Sequence, residues 1–200
     1  MGTDCAPWLA NLTLFAYEFA YLTNSLKKNN VTVYRNLNHC FRYIDDITVI
    51  NDNGCFNEVY RLIYPSSLVL KKVNEQDGSA DVLDINAKII SGEFVCKIFD
   101  KRKSFPFQCN VFPSIDSNIS SSCIYNVFYG QMFRYFDITS TLQDLRAEIC
   151  SLLTLLINKG YSRNRLTNTF SKFINNNLNR FAHKFNRSEL LNLKAEVNSF

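Results

Sequence analysis

The sequence has no apolar run approaching the roughly 18 residues that a bilayer span requires, so no membrane-crossing helix is expected. It also lacks a basic segment followed by an apolar stretch and a small-residue cleavage site, and no signal peptide is expected. Histidine is scarce: His39 and His183 are the two present, and they lie far apart. Seven cysteines stand at 5, 40, 55, 96, 109, 123 and 150. The number is odd and no two are separated by two residues, which argues against both a disulfide framework and a zinc site. Reduced, buried thiols in an intracellular protein are the expectation. No internal repeat is visible.

What the chain does have is apolar and aromatic mass. Of its 200 residues, 46% are hydrophobic and 14% aromatic, with Phe the commonest aromatic. That composition builds a core and excludes a disordered segment. The length suits one ordinary domain or two small ones. The net charge of +4 is unevenly spread. Residues 1–91 carry 8 Lys+Arg against 10 Asp+Glu, and residues 92–200 carry 14 against 8. The mildly acidic half could host cations and the basic half a polyanion.

Along the chain, Asp4 and Pro7 suit a helix start. Trp8, Leu9, Leu12, Phe15, Phe19 and Leu22 then recur at helical spacing as far as Lys27-Lys28. Val31–Tyr34 reads as a short strand. Phe41–Ile44 and Ile47–Ile50 read as two strands with Asp45-Asp46 between them. Asn51–Gly54 is a turn cluster, and Val59, Leu62 and Ile63 fit a short helix ended by Pro65. Leu68–Leu70 reads as a strand, Asn74–Asp81 as a loop, and 82–99 as a β-hairpin turning at Ser91-Gly92. From 104 to 122, Pro, Ser and Asn indicate an irregular linker. Beyond it the spacing predicts helices: one through Ile124 and Tyr135, one capped by Ser140 or Thr139 and ending at Gly160, and one from about Ser162. The tail from Asn186 reads as short and marginal. The fold class expected is α+β: a mixed unit over 1–103, a linker over 104–122 and a helical unit over 123–200.

The feature with the clearest chemistry is Asp45-Asp46. Asp is a poor strand residue, so two between apolar strands are expected at the tip of a hairpin. Adjacent carboxylates repel unless a cation offsets them, and hard divalent ions such as Mg²⁺ or Mn²⁺ prefer carboxylate oxygens. Such a pair suits two-metal phosphoryl chemistry.

Phe41-Arg42-Tyr43-Ile44-Asp45-Asp46 resembles the aromatic-x-Asp-Asp signature of reverse transcriptases, and Met1-Gly2-Thr3-Asp4-Cys5-Ala6-Pro7 is similar to the preceding motif of that family. Both strings look most like those of Penelope-like retroelements. Leu83-Asp84, Asp100-Lys101-Arg102, Asn110-Val111-Phe112-Pro113 and Lys159-Gly160-Tyr161 resemble the same group. The resemblance implies a polymerase palm, with an antiparallel sheet and helices, followed by a helical thumb. It implies an RNA-directed DNA polymerase working on an RNA template and a DNA primer, with a nuclear place of action. Asp45 would be the main metal ligand and Asp46 a weaker one. Tyr43 would pack near the primer terminus, and Gly2 and Thr3 would form the turn near the template nucleotide. Lys71 or Lys72 would protonate pyrophosphate, and the 82–99 hairpin would grip the primer. Arg163, Arg165, Lys172, Arg180 and Lys184 are the candidates for thumb contacts to phosphates. The family's third carboxylate and its fingers belong upstream of the glycine turn with which this sequence opens. The chain alone is therefore expected to polymerise slowly or not at all. The alternative is a non-catalytic nucleic-acid-binding remnant.

Overall fold

The structure is a computed structural model that describes residues 4–27, 35, 37–50, 52, 54–74, 77–107, 109 and 111–199. The strand expected over 31–34, and Gly2 and Thr3, lie outside the described residues. The chain divides into two compact units, Met1–Val73 and Asn74–Phe200.

In the first unit, helix α1 (Ala6–Lys27) is followed by a two-stranded antiparallel hairpin, β1 (Cys40–Tyr43) and β2 (Asp46–Val49), and by helix α2 (Cys55–Ile63). Asp52 starts α2 by accepting the Gly54 and Phe56 amides. Pro65 follows its end, as its sequence implied. An isolated hairpin is marginal in water. Here Ile47 packs with Leu14 and Tyr21 of α1 against Val59, Ile63 and Tyr64. The α1 residues spaced at 8, 12, 15 and 19 form a stripe, as expected, but Trp8, Leu12, Phe15 and Phe19 are all exposed. Residues 68–73 are irregular rather than a strand. Leu70 packs on the small core, whereas Val69 and Val73 are about three-quarters exposed, at 77% and 74%. Apolar character there reflects no paired sheet.

The second unit holds an antiparallel three-stranded sheet, β3 (Ala80–Val82), β4 (Ile85–Ile90) and β5 (Glu93–Ile98). Four helices follow: α3 (Ser121–Ile138), α4 (Leu142–Asn158), α5 (Arg163–Phe181) and α6 (Arg187–Ser199). The β4–β5 hairpin turns at Ser91-Gly92 as expected, and both residues have positive φ, 53° and 84°. Strand β3 was not expected; it pairs with β4 around a Leu83-Asp84 loop.

The 82–99 hairpin lies in the same unit as the helices, so the boundary expected near 103 falls inside a compact body. Ile98 belongs to the helical core, Ser140 exchanges two hydrogen bonds with the Cys96 backbone, and Arg134 pairs with Asp84 at 2.7 Å. Between Phe105 and Ser120 the described residues are irregular but anchored. Phe112 and Ile115 pack on the core, and the Ile115 amide donates to the Lys159 carbonyl.

Helix α4 is capped by Thr141, whose hydroxyl accepts the Asp144 amide, rather than by Ser140 or Thr139. It ends as Gly160 predicted. The Tyr161 amide donates to the Leu156 carbonyl and the Gly160 amide to the Ile157 carbonyl, with Gly160 at φ 88°. These are the paired bonds of a Schellman ending. The tail is a full helix, not a marginal one. Asn186 and Glu189 form a reciprocal capping box, and Leu190, Leu193 and Val197 are buried. No described helix is long and apolar enough to cross a membrane. None of the seven cysteines forms a disulfide, but they are exposed or half-buried rather than buried.

Candidate functional site

The β1–β2 register pairs Tyr43 with Asp46, so the two-residue loop is Ile44-Asp45 and Asp46 is the first residue of β2. The turn thus sits one residue earlier than the sequence indicated. Ile44 carries it at φ 55°. A β-branched residue in the left-handed region is a genuine outlier, costing on the order of 1–3 kcal/mol, and the surrounding structure must hold it there.

Arg42 supplies that hold. Its guanidinium uses its donors on Glu18 Oε1 at 2.6 Å and Oε2 at 3.2 Å, on the Asn11 side chain at 2.7 Å and carbonyl at 3.4 Å, and on the Ile44 carbonyl at 3.0 Å. The last bond fastens the strained turn to the arginine, which the other four bonds tie to α1. Tyr64 completes the arrangement by donating its hydroxyl to Glu18 Oε1 at 2.6 Å. Burial first, then the Glu18 carboxylate, push the Tyr64 phenol well above its ordinary range, so it remains a donor at all ordinary pH. Arg42 and Glu18 side chains are 14% and 25% exposed, deep enough for charge-assisted bonds to count.

Residues directly opposite on an antiparallel pair share a face. Arg42, Ile47, Cys40 and Val49 therefore face one way, and Arg42 and Ile47 are bound into α1 and the small core. Phe41, Tyr43, Asp46 and Thr48 share the other face, where Phe41 and Tyr43 are 56% and 60% exposed. Asp45 and Asp46 are both exposed, and neither carboxylate has a hydrogen-bond or ion-pair partner among the described residues. The Leu83-Asp84 loop gives a comparison inside the same chain. It is also a two-residue aliphatic-Asp turn, with Leu83 at φ 55°, but Asp84 is paired with Arg134.

The donor set of Asp45 and Asp46 fits a hard divalent cation. Magnesium is commonly held by one or two carboxylates, with phosphate and water completing its shell. Among the described residues no three His, Cys, Asp or Glu side chains come together as a metal-binding group. A cavity of about 260 Å³ in this unit is lined by Glu18, Leu22, Cys40, Arg42, Ile47 and Tyr64 among others, and by neither carboxylate of the turn. Burial, with smaller contributions from Asp52 and Cys55, pushes the Cys40 thiol up to about 11, which makes it a poor nucleophile at neutral pH.

Lys71 and Lys72 lie on the exposed irregular segment after Leu70, and neither ammonium has a partner among the described residues. The basic candidates of the second unit divide by what they touch. Lys172 is exposed on α5 with no partner among the described residues. Arg163 donates to the Ser199 carbonyl. Arg165 stacks on the Tyr125 ring at 4.0 Å. Arg180 pairs with Asp137 at 3.2 Å and lies over the Phe133 ring. Lys184 donates to the Phe136 and Asp137 carbonyls at the end of α3, and burial lowers its pKa. Its ammonium is thus spent on satisfying a helix terminus.

Sequence reasoning missed Glu18, Asn11 and Tyr64. One signal was available: Glu18 is the lone charge between Ala6 and Leu26. A solitary carboxylate in so apolar a helix requires a partner.

No protein-family model, curated protein or solved structure matches the chain.

Proposed function

We propose that the chain is the palm and thumb portion of an RNA-directed DNA polymerase of the Penelope-like type. The observation that carries the reading is the β1–β2 turn. Two adjacent exposed carboxylates stand at a strained tip that a complete Arg42 network holds in place, and no described cation neutralises them. The equivalent Asp84 turn has its arginine, so the lack of one at Asp45-Asp46 is not a general property of such turns.

In this reading Asp45 and Asp46 hold a Mg²⁺ or Mn²⁺ ion. When bound, such an ion supplies Lewis-acid stabilisation of phosphoryl oxygens and eases deprotonation of an attacking hydroxyl. The chain's own residues do the rest. Ile44 and Arg42 fix the turn that carries the carboxylates. Tyr43 and Phe41, exposed on the Asp46 face, offer apolar surface to a sugar or base at the primer end. Lys71 or Lys72 supplies a proton to the leaving pyrophosphate. Lys172 and the arginines of α5 contact phosphates without reading sequence.

The test is primer extension on an RNA template with Mg²⁺, comparing wild type with Asp45→Asn. Equal, measurable extension by both would end the metal-site claim; where wild type does not extend, the metal-binding comparison decides. Manganese binding read by water-proton relaxation is the companion measurement: Asp45→Asn/Asp46→Asn is expected to weaken it at least about tenfold, since it removes both charged ligands. A second reading, a nucleic-acid-binding remnant without catalysis, is favoured by the same site, because the described residues gather two carboxylates and not three. It predicts hybrid binding with steep salt dependence and no extension.

A further inference from the structure

Residues 101–107, Lys-Arg-Lys-Ser-Phe-Pro-Phe, are all exposed. They begin as a tight 3-10 turn, Lys101–Ser104, capped by the Asp100 carboxylate on the Arg102 amide at 3.0 Å. The turn is closed further by the Lys103 amide on the Asp100 carbonyl and by the Ser104 hydroxyl on the Lys101 carbonyl. It is therefore ordered local structure. Phe105 then leaves in an extended conformation, and Pro106 stiffens the step to Phe107. The two phenylalanine rings stack with centroids 5.3 Å apart and only 16° between planes. They are 42% and 64% exposed. Two near-parallel rings thus stand in water within a few residues of three cations and are not used by the helical core.

We infer that Lys101–Phe107 is a binding site for single-stranded nucleic acid, with Phe105 and Phe107 as a stacking platform for unpaired bases and Lys101 and Arg102 on the adjoining phosphates. Aromatic platforms flanked by cations are how sequence-tolerant single-strand binding is achieved, because every base has a π-face and every nucleotide a charge. A duplex hides those faces, so the platform selects unpaired strands. The cations differ in readiness. The Lys101 ammonium has no partner among the described residues. Arg102 forks onto Asp100 at 2.7 and 2.8 Å, and Lys103 reaches Glu148 at 3.0 Å. Asp100 is thus both the cap of the turn and a competitor for the phosphate. The site lies wholly within the second unit and does not rest on the carboxylate reading.

The test measures binding of a fluorescein-labelled 16-nucleotide oligothymidylate to the whole chain by anisotropy at low salt. EDTA is present, so that the fate of the metal site cannot affect the result. Wild type is expected to bind. Phe107→Ala is expected to weaken binding about tenfold, the scale of one lost base stack. Phe105→Leu/Phe107→Leu keeps apolar surface without rings and is expected to lose at least as much. Both phenylalanines are exposed, so circular dichroism and the thermal transition should match wild type. Lys101→Glu should weaken binding and flatten the salt dependence. Asp100→Asn keeps a capping side chain and releases Arg102, so it should bind tighter and with a salt slope steeper by about 0.7, one further phosphate contact on a single strand. The inference is overturned if wild type does not bind, or if the leucine pair binds as wild type does. It also fails if the substitutions act on binding to phosphatidylserine vesicles and not on the oligonucleotide, which would make the patch a membrane-surface contact.

Discussion

Arg42 is the residue on which the first unit's geometry turns. Its neighbours in sequence, Phe41 and Tyr43, point outward, while its own side chain is bound by Glu18, Asn11 and the Ile44 carbonyl. A β-strand alternates faces, so one arginine between two exposed aromatics is the one that can reach α1. Glu18→Gln and Arg42→Met each break the fork and leave a half-buried polar group short of partners. Each is expected to cost about 2 kcal/mol in urea unfolding, the range for charge-assisted bonds. Arg42→Lys keeps the charge but loses the planar fork, and should recover only part of that. If Asp45 and Asp46 hold a metal as proposed, manganese affinity should fall in parallel, because the turn that carries Asp45 is released. Unchanged affinity in a folded Arg42→Met protein would separate the network from the carboxylates. The Asp45-Asp46 pair itself was legible in the sequence. Glu18 was visible as an isolated charge, but its partner was not, since 24 residues separate it from Arg42.

At the scale of elements, the end of α4 shows how a terminus binds an irregular segment. Gly160 is required twice. Its φ of 88° disfavours any L side chain, and a Cβ there would stand 2.5 Å from Ile115 Cγ2. Gly160→Ala is expected to destabilise by about 2 kcal/mol or more, combining left-handed strain with the clash. In Gly160→Ala/Ile115→Ala the clash is gone, so the two losses should add to less than their sum. Strict additivity by urea denaturation would show that Ile115 is not held against the turn. The glycine was readable as a helix stop from sequence, whereas its contact with a segment 45 residues away was not. The same holds for α6: the Asn186-x-x-Glu189 box was present in the sequence, but the tail's short apolar pattern gave no hint of the core waiting for Leu190, Leu193 and Val197.

At the scale of the whole molecule, buried apolar mass among the described residues is lopsided. There the cluster in the second unit contains 22 buried residues, from Ile98 to Val197, and the cluster in the first contains three, Val59, Ile63 and Tyr64. Burial is the main favourable term in folding, so the second unit should carry most of the stability. Residues 74–200 produced alone are expected to unfold cooperatively at nearly the midpoint of the corresponding transition in the whole chain. The whole chain is expected to show two transitions, with the α1 and hairpin amides exchanging first. A single coincident transition by all probes would contradict this division. The stripe of Trp8, Leu12, Phe15 and Phe19, exposed among the described residues, belongs to the first unit.

Some of this protein was determined by local chemistry, which the sequence carries: α1, the two strands around Asp45, the Ser91-Gly92 turn, the Gly160 stop and the first three helices beyond residue 120. These depend on periodicity, turn residues and caps within a few positions of each other. What only the tertiary structure decided is everything that depends on a distant partner. The sheet of residues 80–98 packed with the helices that follow it, Lys184 was drawn off to the end of α3, and the strain at Ile44 was met by Arg42 and Glu18. Packing is non-directional and pairs surfaces by fit, so spacing along the chain shows which residues seek burial or a partner, and the folded chain alone shows which ones they find.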